Sequence, residues 1–137
     1  MKIVYIFGKY SGPEQQLNIQ QAEEAARYLW AKNIPCITPH LNTREFDGVA
    51  EYNTFLIGYI EILKRCDIAL GLPGWDKSPG ARTEHMVAIE EGIPVVYNFK
   101  GLEEAIADYD RYKMAAISMS LRGRHLAEIS SHQSKIL

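Results

Sequence analysis

Short apolar runs rich in β-branched and aromatic residues alternate with helix-length amphipathic stretches along this chain. The strand-like runs cover residues 2–7, 35–38, 68–72 and 93–97. The stretches with apolar residues at helical spacing cover residues 17–32, 55–66 and 80–91. Because strands that alternate with helices are joined by right-handed crossovers, this pattern predicts a parallel sheet that is covered by helices on both faces.

The predicted fold is therefore a three-layer α/β fold of the Rossmann or flavodoxin-like type. We expect a parallel sheet of four to five strands in the order 2-1-3-4. The 137 residues, 47% of them hydrophobic, are enough for one core, so the chain is predicted to be a single domain over residues 1–137. Residues 40–51 show no clear period and are predicted to be a long loop, whereas residues 114–121 indicate one amphipathic helix.

Composition argues against several classes of partner. The formal net charge of -2 gives no electrostatic reason to expect polymeric nucleic acid or an anionic membrane as a partner. Cys36 and Cys66 each lie beside an apolar run and are interpreted as small buried hydrophobes in a reduced compartment. The start resembles no signal peptide and no apolar run approaches a bilayer-spanning length, so we expect a cytoplasmic protein. The four histidines show no metal-ligand spacing, and no metal is predicted.

The predicted topology also places a ligand site. In open parallel sheets, ligands bind outside the carboxyl ends of the strands at the point where the strand order reverses. Here that point lies between the loop after the first strand, residues 8–13, and the loop after the third strand, residues 73–80. Residues of these two loops are therefore the first candidates for binding.

The first loop is rich in glycine and polar residues. Backbone N–H groups from Gly8 through Tyr10 to Gly12, together with the side chains of Lys9 and Ser11, could hold a phosphate. The segment matches neither the Walker A pattern nor the dinucleotide-binding glycine pattern. An ordinary turn between a strand and a helix explains it equally well.

The second loop leads into a helix with a carboxylate one turn inside it. Ser78 and Gly80 lie at the predicted helix N-terminus, where unpaired N–H groups attract anions. Glu84 shares the apolar face of this helix with Ala81 and Ala88, so it is predicted to face the crevice. The alternatives are a carboxylate that interacts only with the helix dipole, or one paired with a buried arginine.

Three further side chains are weaker candidates. Trp75 could stack on a base above the crevice, or it could be a hydrophobic plug under its loop. His40 and Asn42 follow the second strand and could hydrogen-bond a base, or they could only order a turn.

Several short motifs together resemble a known superfamily. They are Val4–Gly8, Ser11-Gly12, Asn18, Pro39–Thr43, Cys66-Asp67, Leu72–Trp75 and Ser78-x-Gly80-Ala81-x-x-Glu84. This set resembles the nucleoside 2-deoxyribosyltransferase-like superfamily, in particular its small bacterial and phage branch of unknown function. The resemblance covers about residues 2–98, and the Ser-x-Gly-x-x-x-Glu element after a strand is its most specific part.

The resemblance implies a function and roles for the candidate residues. Related enzymes are nucleoside 2-deoxyribosyltransferases and nucleoside-monophosphate N-glycosidases, in which the glutamate equivalent to Glu84 attacks the anomeric carbon of the sugar. By the same resemblance Tyr5 projects toward this nucleophile, while Gly8 with its loop, Ser78 and Gly80 hold the phosphate or sugar. A small-molecule nucleoside or nucleoside monophosphate is implied as substrate. No cofactor is implied, and the relatives, which complete their sites with a neighbouring subunit, imply a homodimer or a larger homo-oligomer.

One position departs from the pattern of the catalytic relatives. They carry an aspartate eight residues before the aspartate of the Cys-Asp pair, and counting back from Asp67 gives Tyr59. A core tyrosine fits this helix face. The chain is therefore predicted either to cleave an N-glycosidic bond or to be a non-catalytic nucleotide-binding or oligomeric assembly module.

Overall fold

Four short parallel strands form the centre of the structure, a computed structural model that describes residues 1–136 and side chains as far as residue 128. The strands are β1 (Val4–Phe7), β2 (Cys36–Ile37), β3 (Ile68–Gly71) and β4 (Val95–Val96). Their order is β2-β1-β3-β4, with Val4 opposite both Cys36 and Ile68 in the register of the sheet. The predicted parallel sheet and its 2-1-3-4 order are confirmed.

Six α-helices surround this sheet in the described part of the chain. They are α1 (Gln15–Ala31), α2 (Pro39–Asn42), α3 (Tyr52–Leu63), α4 (Pro79–Glu90), α5 (Phe99–Ala107) and α6 (Tyr109–Ile136). The prediction of one continuous loop over residues 40–51 is wrong at its start, because α2 lies there. Pro39 is its first helical residue, a position that tolerates the missing N–H and suits the fixed φ of proline.

The C-terminal third is also more helical than expected. The sequence indicated one amphipathic helix around residues 114–121, whereas α5 and α6 together occupy nearly all of residues 99–136. Helix α6 packs on the end of α4: the Lys113 ammonium donates to the Gly92 carbonyl at 2.7 Å, and the Ser120 hydroxyl donates to the Glu90 carbonyl. The Ser120 hydroxyl thus satisfies a carbonyl that the C-terminus of α4 leaves unpaired, and Lys113 binds the carbonyl of the glycine that follows the helix.

The alternation of side chains along β1 divides the core into two layers. Val4 and Ile6 pack with residues of α1 and α5 on one face, including Leu29. Tyr5 and Phe7 point to the other face and pack with residues of α3 and α4. This arrangement confirms that helices cover both faces of the sheet.

In the described part of the chain, the two cysteines form no disulfide and the possible metal-binding side chains form no cluster. Cys36 and Cys66 are buried and free, and burial raises the pKa of the Cys66 thiol to about 11. Within the described residues no three His, Cys, Asp or Glu side chains are grouped so that they could hold a metal ion, and the side chain of His132 lies outside those residues. None of the helices described here is both long and apolar enough to cross a membrane.

Candidate functional site

A cavity of about 360 Å³ lies at the carboxyl end of β1. Its walls come from the loop after β1, from α2 and the connection that follows it, and from the N-terminal halves of α3 and α4. Seven of the predicted site residues line it: Gly8, Tyr10, Ser11, His40, Ser78, Gly80 and Glu84. Among the described residues, its lining has two carboxylates and one imidazole but no lysine or arginine.

Glu84 reaches the cavity from the second turn of α4. It shares the buried face of that helix with Ala81 and Ala88, and only 9% of its surface is exposed. The Tyr5 phenol, which lies in the middle of β1 and is fully buried, donates a hydrogen bond to Glu84 Oε2. Tyr5 itself does not line the cavity. Tyr5 therefore holds one oxygen of the Glu84 carboxylate from the sheet, and its hydrogen bond does not engage the other oxygen, Oε1.

The environment of this pair sets the protonation of both groups. Burial raises the pKa of Glu84 to about 7, although the hydrogen bond from Tyr5 acts in the opposite direction. Burial and the neighbouring Glu84 charge raise the pKa of Tyr5, so the phenol keeps its proton and remains a donor. The ion pairs of the described residues do not involve Glu84, so the alternative of a buried arginine partner is wrong.

The N-terminus of α4 is largely occupied by the protein's own groups. The Ser78 Oγ accepts a hydrogen bond from the Ala81 N–H at 3.3 Å and is therefore the N-cap of the helix. Pro79 follows as the first helical residue and has no N–H to offer. A Cβ at Gly80 would lie 2.6 Å from the hydroxyl of Tyr52, so the phenol of Tyr52 covers this glycine. Phosphate binding at this helix end stays a prediction.

The loop after β1 is a constrained turn. The His40 Nε2–H donates to the Lys9 carbonyl at 3.0 Å, and the Asn18 amide donates to the Tyr10 carbonyl at 3.3 Å. Gly12 has a φ of +116°, which favours glycine. Neither Lys9 nor Gly12 lines the cavity, so the structure does not bring these two predicted residues to the site.

His40 holds this loop from α2. It is 4% exposed, and burial lowers its pKa although nearby backbone carbonyls of Lys9 and Gly8 act in the opposite direction. The neutral ring with its proton on Nε2 leaves Nδ1 as an acceptor. This Nδ1 is buried and has no hydrogen-bond partner among the described residues. His40 therefore orders the turn, and its second ring nitrogen is an unused acceptor that is buried away from solvent.

Two of the weaker candidates lie outside the cavity lining. The Asn42 amide donates to the phenolic oxygen of Tyr59 at 3.1 Å. Trp75 stacks on the imidazole of His85 with ring centroids 4.1 Å apart, and its ring is edge-on to Phe7. Trp75 thus packs against His85 and Phe7 and does not line the cavity.

One wall of the cavity was missed by sequence reasoning. It is formed by the α2–α3 connection and the start of α3, with Phe46, Asp47, Tyr52, Phe55 and Leu56. The only local signal is the presence of aromatic residues in and beside a polar, irregular stretch. A stretch without a period does not indicate which of its side chains face a cavity.

Tyr59 lies at the position where the resemblance leads us to expect an aspartate. Tyr59 lines the cavity. Its phenol forms a hydrogen bond with the Thr43 hydroxyl at 2.8 Å and accepts a second one from the Asn42 amide. The side chain therefore ties α3 to the chain that leaves α2.

Comparison with known proteins gives one family match. Residues 2–97 match the family model described as Domain of unknown function (DUF4406). The matched range contains all four strands and every residue of the candidate site, and it ends before α5. No curated protein matches the chain.

Proposed function

Since the chain belongs to the family described as Domain of unknown function (DUF4406), we propose a function from the cavity itself: binding of a nucleoside or nucleoside monophosphate and cleavage of its N-glycosidic bond by Glu84. The observation that carries this proposal is a buried carboxylate that lines a cavity of about 360 Å³ and forms no ion pair among the described residues. Such a volume lies in the range of small-molecule sites. A carboxylate held without a counter-ion is typical of a group that acts on a ligand.

The reaction would proceed through a covalent intermediate. Glu84 Oε1 attacks the anomeric carbon, the bond from that carbon to the base nitrogen breaks, and its electron pair leaves with the base, which takes up a proton from solvent. Tyr5 holds the other carboxylate oxygen and so orients the nucleophile. The resulting glycosyl ester is resolved by water or by a second base. Only the ionised form of Glu84 attacks, so cleavage should increase as the pH rises through about 7.

A nucleotide-binding module without turnover is the second candidate. It is favoured by Tyr59, because the phenol at this position is engaged with Asn42 and Thr43 rather than presenting a carboxylate to the cavity. For either function we propose the cytoplasm as the site of action, which is supported by two free cysteines.

Base release from a panel of nucleosides and their monophosphates, followed by chromatography, tests the proposal. We expect release by the unmodified protein and a loss on the order of 10³-fold or more in Glu84→Gln. The matched control is Glu91→Gln, an exposed residue just beyond α4, which should retain the full rate.

Binding is measured on the same panel by calorimetry. Ligand binding without base release would establish the second candidate instead of the enzyme. No binding by any member of the panel would contradict both candidates.

A further inference from the structure

The cavity has a second carboxylate in its lining. Asp47 belongs to the α2–α3 connection, on a different wall from Glu84, which belongs to α4. Unlike Glu84, the Asp47 side chain is exposed to solvent. The ion pairs of the described residues leave it without a cationic partner. The two carboxylates therefore differ in one respect that matters for chemistry, which is their access to water.

The segment that carries Asp47 is held by hydrogen bonds. Its start is tied to α3 through the Thr43 hydroxyl and Tyr59 phenol, which lie 2.8 Å apart. The Phe46 N–H then donates to the Thr43 carbonyl at 3.2 Å, and the Val49 N–H donates to the Phe46 carbonyl at 2.9 Å. Asp47 lies inside the second of these turns. Tyr59 is thus a positioning residue for the wall that presents Asp47.

The second half of the proposed reaction needs a base. After Glu84 has formed a glycosyl ester, a water molecule must lose a proton as it attacks the sugar. The Tyr5 phenol donates to Glu84 and does not line the cavity, and the Tyr59 phenol is engaged with Asn42 and Thr43. The unused nitrogen of His40 is buried away from water, and its other nitrogen is engaged with the Lys9 carbonyl. An exposed carboxylate at the cavity remains.

We propose that Asp47 is the general base that activates the water that releases the sugar from Glu84, an inference that rests on the function proposed above. The water oxygen forms a bond to the anomeric carbon, and the water proton passes to the Asp47 carboxylate. The bond from that carbon to Glu84 breaks, and its electron pair returns to the Glu84 carboxylate. The free sugar leaves, and the proton on Asp47 passes to solvent.

The test is the time course of base release by Asp47→Asn with the best substrate of the panel. Formation of the ester does not need Asp47, so the first turnover should keep its rate and give a burst of base equal to the enzyme concentration. Later turnovers should then slow by about 10²- to 10⁴-fold. Mass spectrometry should show the variant carrying one sugar. Azide, which attacks without a general base, should restore turnover.

The matched control is Glu45→Gln, because Glu45 is an exposed carboxylate in the same connection that does not line the cavity. It should behave like the unmodified protein, and melting temperatures of both variants should show that they fold. Unchanged steady-state release in Asp47→Asn would overturn the inference. Equal slowing of the burst and the later turnovers would also overturn it, since Asp47 would then act before the ester forms. If the unmodified protein releases no base, the proposed function fails first and this inference fails with it.

Discussion

At the scale of a single residue, the burial of Glu84 couples protonation to stability. Its pKa is raised by burial from 4.5 to about 7 in the folded protein. Well below pH 4.5 the carboxyl is protonated in both the folded and the unfolded state, so its ionisation does not lower the free energy of unfolding. As the pH rises through about 7, the folded state must ionise a buried group that the unfolded state ionises more easily. Above that pH the folded protein is less stable by about 3 kcal/mol on this account.

The variant Glu84→Gln should remove this dependence on pH. Its amide can still accept the hydrogen bond from Tyr5 but does not ionise. We expect the variant to be more stable than the unmodified protein by up to about 3 kcal/mol near pH 8, and the difference should almost vanish near pH 4. Urea denaturation at both pH values measures it, with Glu91→Gln as the exposed control. An equal difference at both pH values would show that ionisation of Glu84 is not its cause.

At the scale of the elements, two glycines make opposite contributions. Gly58 lies inside α3 with nothing within 4 Å of the place where a Cβ would stand. Gly71 ends β3, and a Cβ there would lie 2.7 Å from the ring of Phe7. Gly58 therefore weakens α3 and is not needed for packing. Gly71, in contrast, leaves the space in which the Phe7 ring packs against the end of β3.

The pair Gly58→Ala and Gly71→Ala should therefore shift stability in opposite directions. We expect Gly58→Ala to stabilise the protein by about 0.5–1 kcal/mol, because alanine restricts the unfolded chain and favours a helix. Gly71→Ala should destabilise it by about 1–3 kcal/mol, because the Phe7 ring is fully buried and has little room to move. Thermal unfolding of both variants gives the comparison. A stable Gly71→Ala protein would mean that the Phe7 ring has an alternative position.

At the scale of the whole molecule, α6 exposes several large apolar side chains within its described residues. Met114 and Leu121 lie two turns apart on one side of this helix and are 67% and 59% exposed. Contiguous exposed apolar surfaces often mark contacts with another chain. They agree with the homodimer that the resemblance implies, and the oligomeric state stays a prediction.

Light scattering at micromolar concentration should give at least twice the 15.5 kDa of one chain. The double variant Met114→Glu with Leu121→Glu should return the mass to that of one chain, because two charges would have to be buried in the contact. Leu17→Glu is the control, since Leu17 is an equally exposed apolar residue, but on α1. A single-chain mass for the unmodified protein at this concentration would contradict the prediction.

Local patterns determined most of the framework. Along β1, side chains alternate between the two faces of the sheet. Val4 and Ile6 pack on one face, and Tyr5 and Phe7 pack on the other. The helical period likewise put Glu84 on the face of α4 that is buried. A period reports which side of one element avoids water, so the four strands, α1, α3, α4 and the two core layers could be predicted from the sequence. The strand order followed from the rules for crossovers in parallel sheets, whereas α2 and the extent of α5 and α6 were not predicted.

Only the tertiary structure decided which residues meet across the cavity. It brings Asp47 to the lining, and it places the Tyr52 phenol over Gly80. It also removes Lys9 and Trp75 from the candidate lining, because the Lys9 side chain does not reach it and Trp75 packs on His85. Many of these contacts involve loops and connections whose side chains show no regular apolar spacing. Their positions depend on how the irregular segments pack on the finished sheet and helices, which no local pattern of side chains specifies.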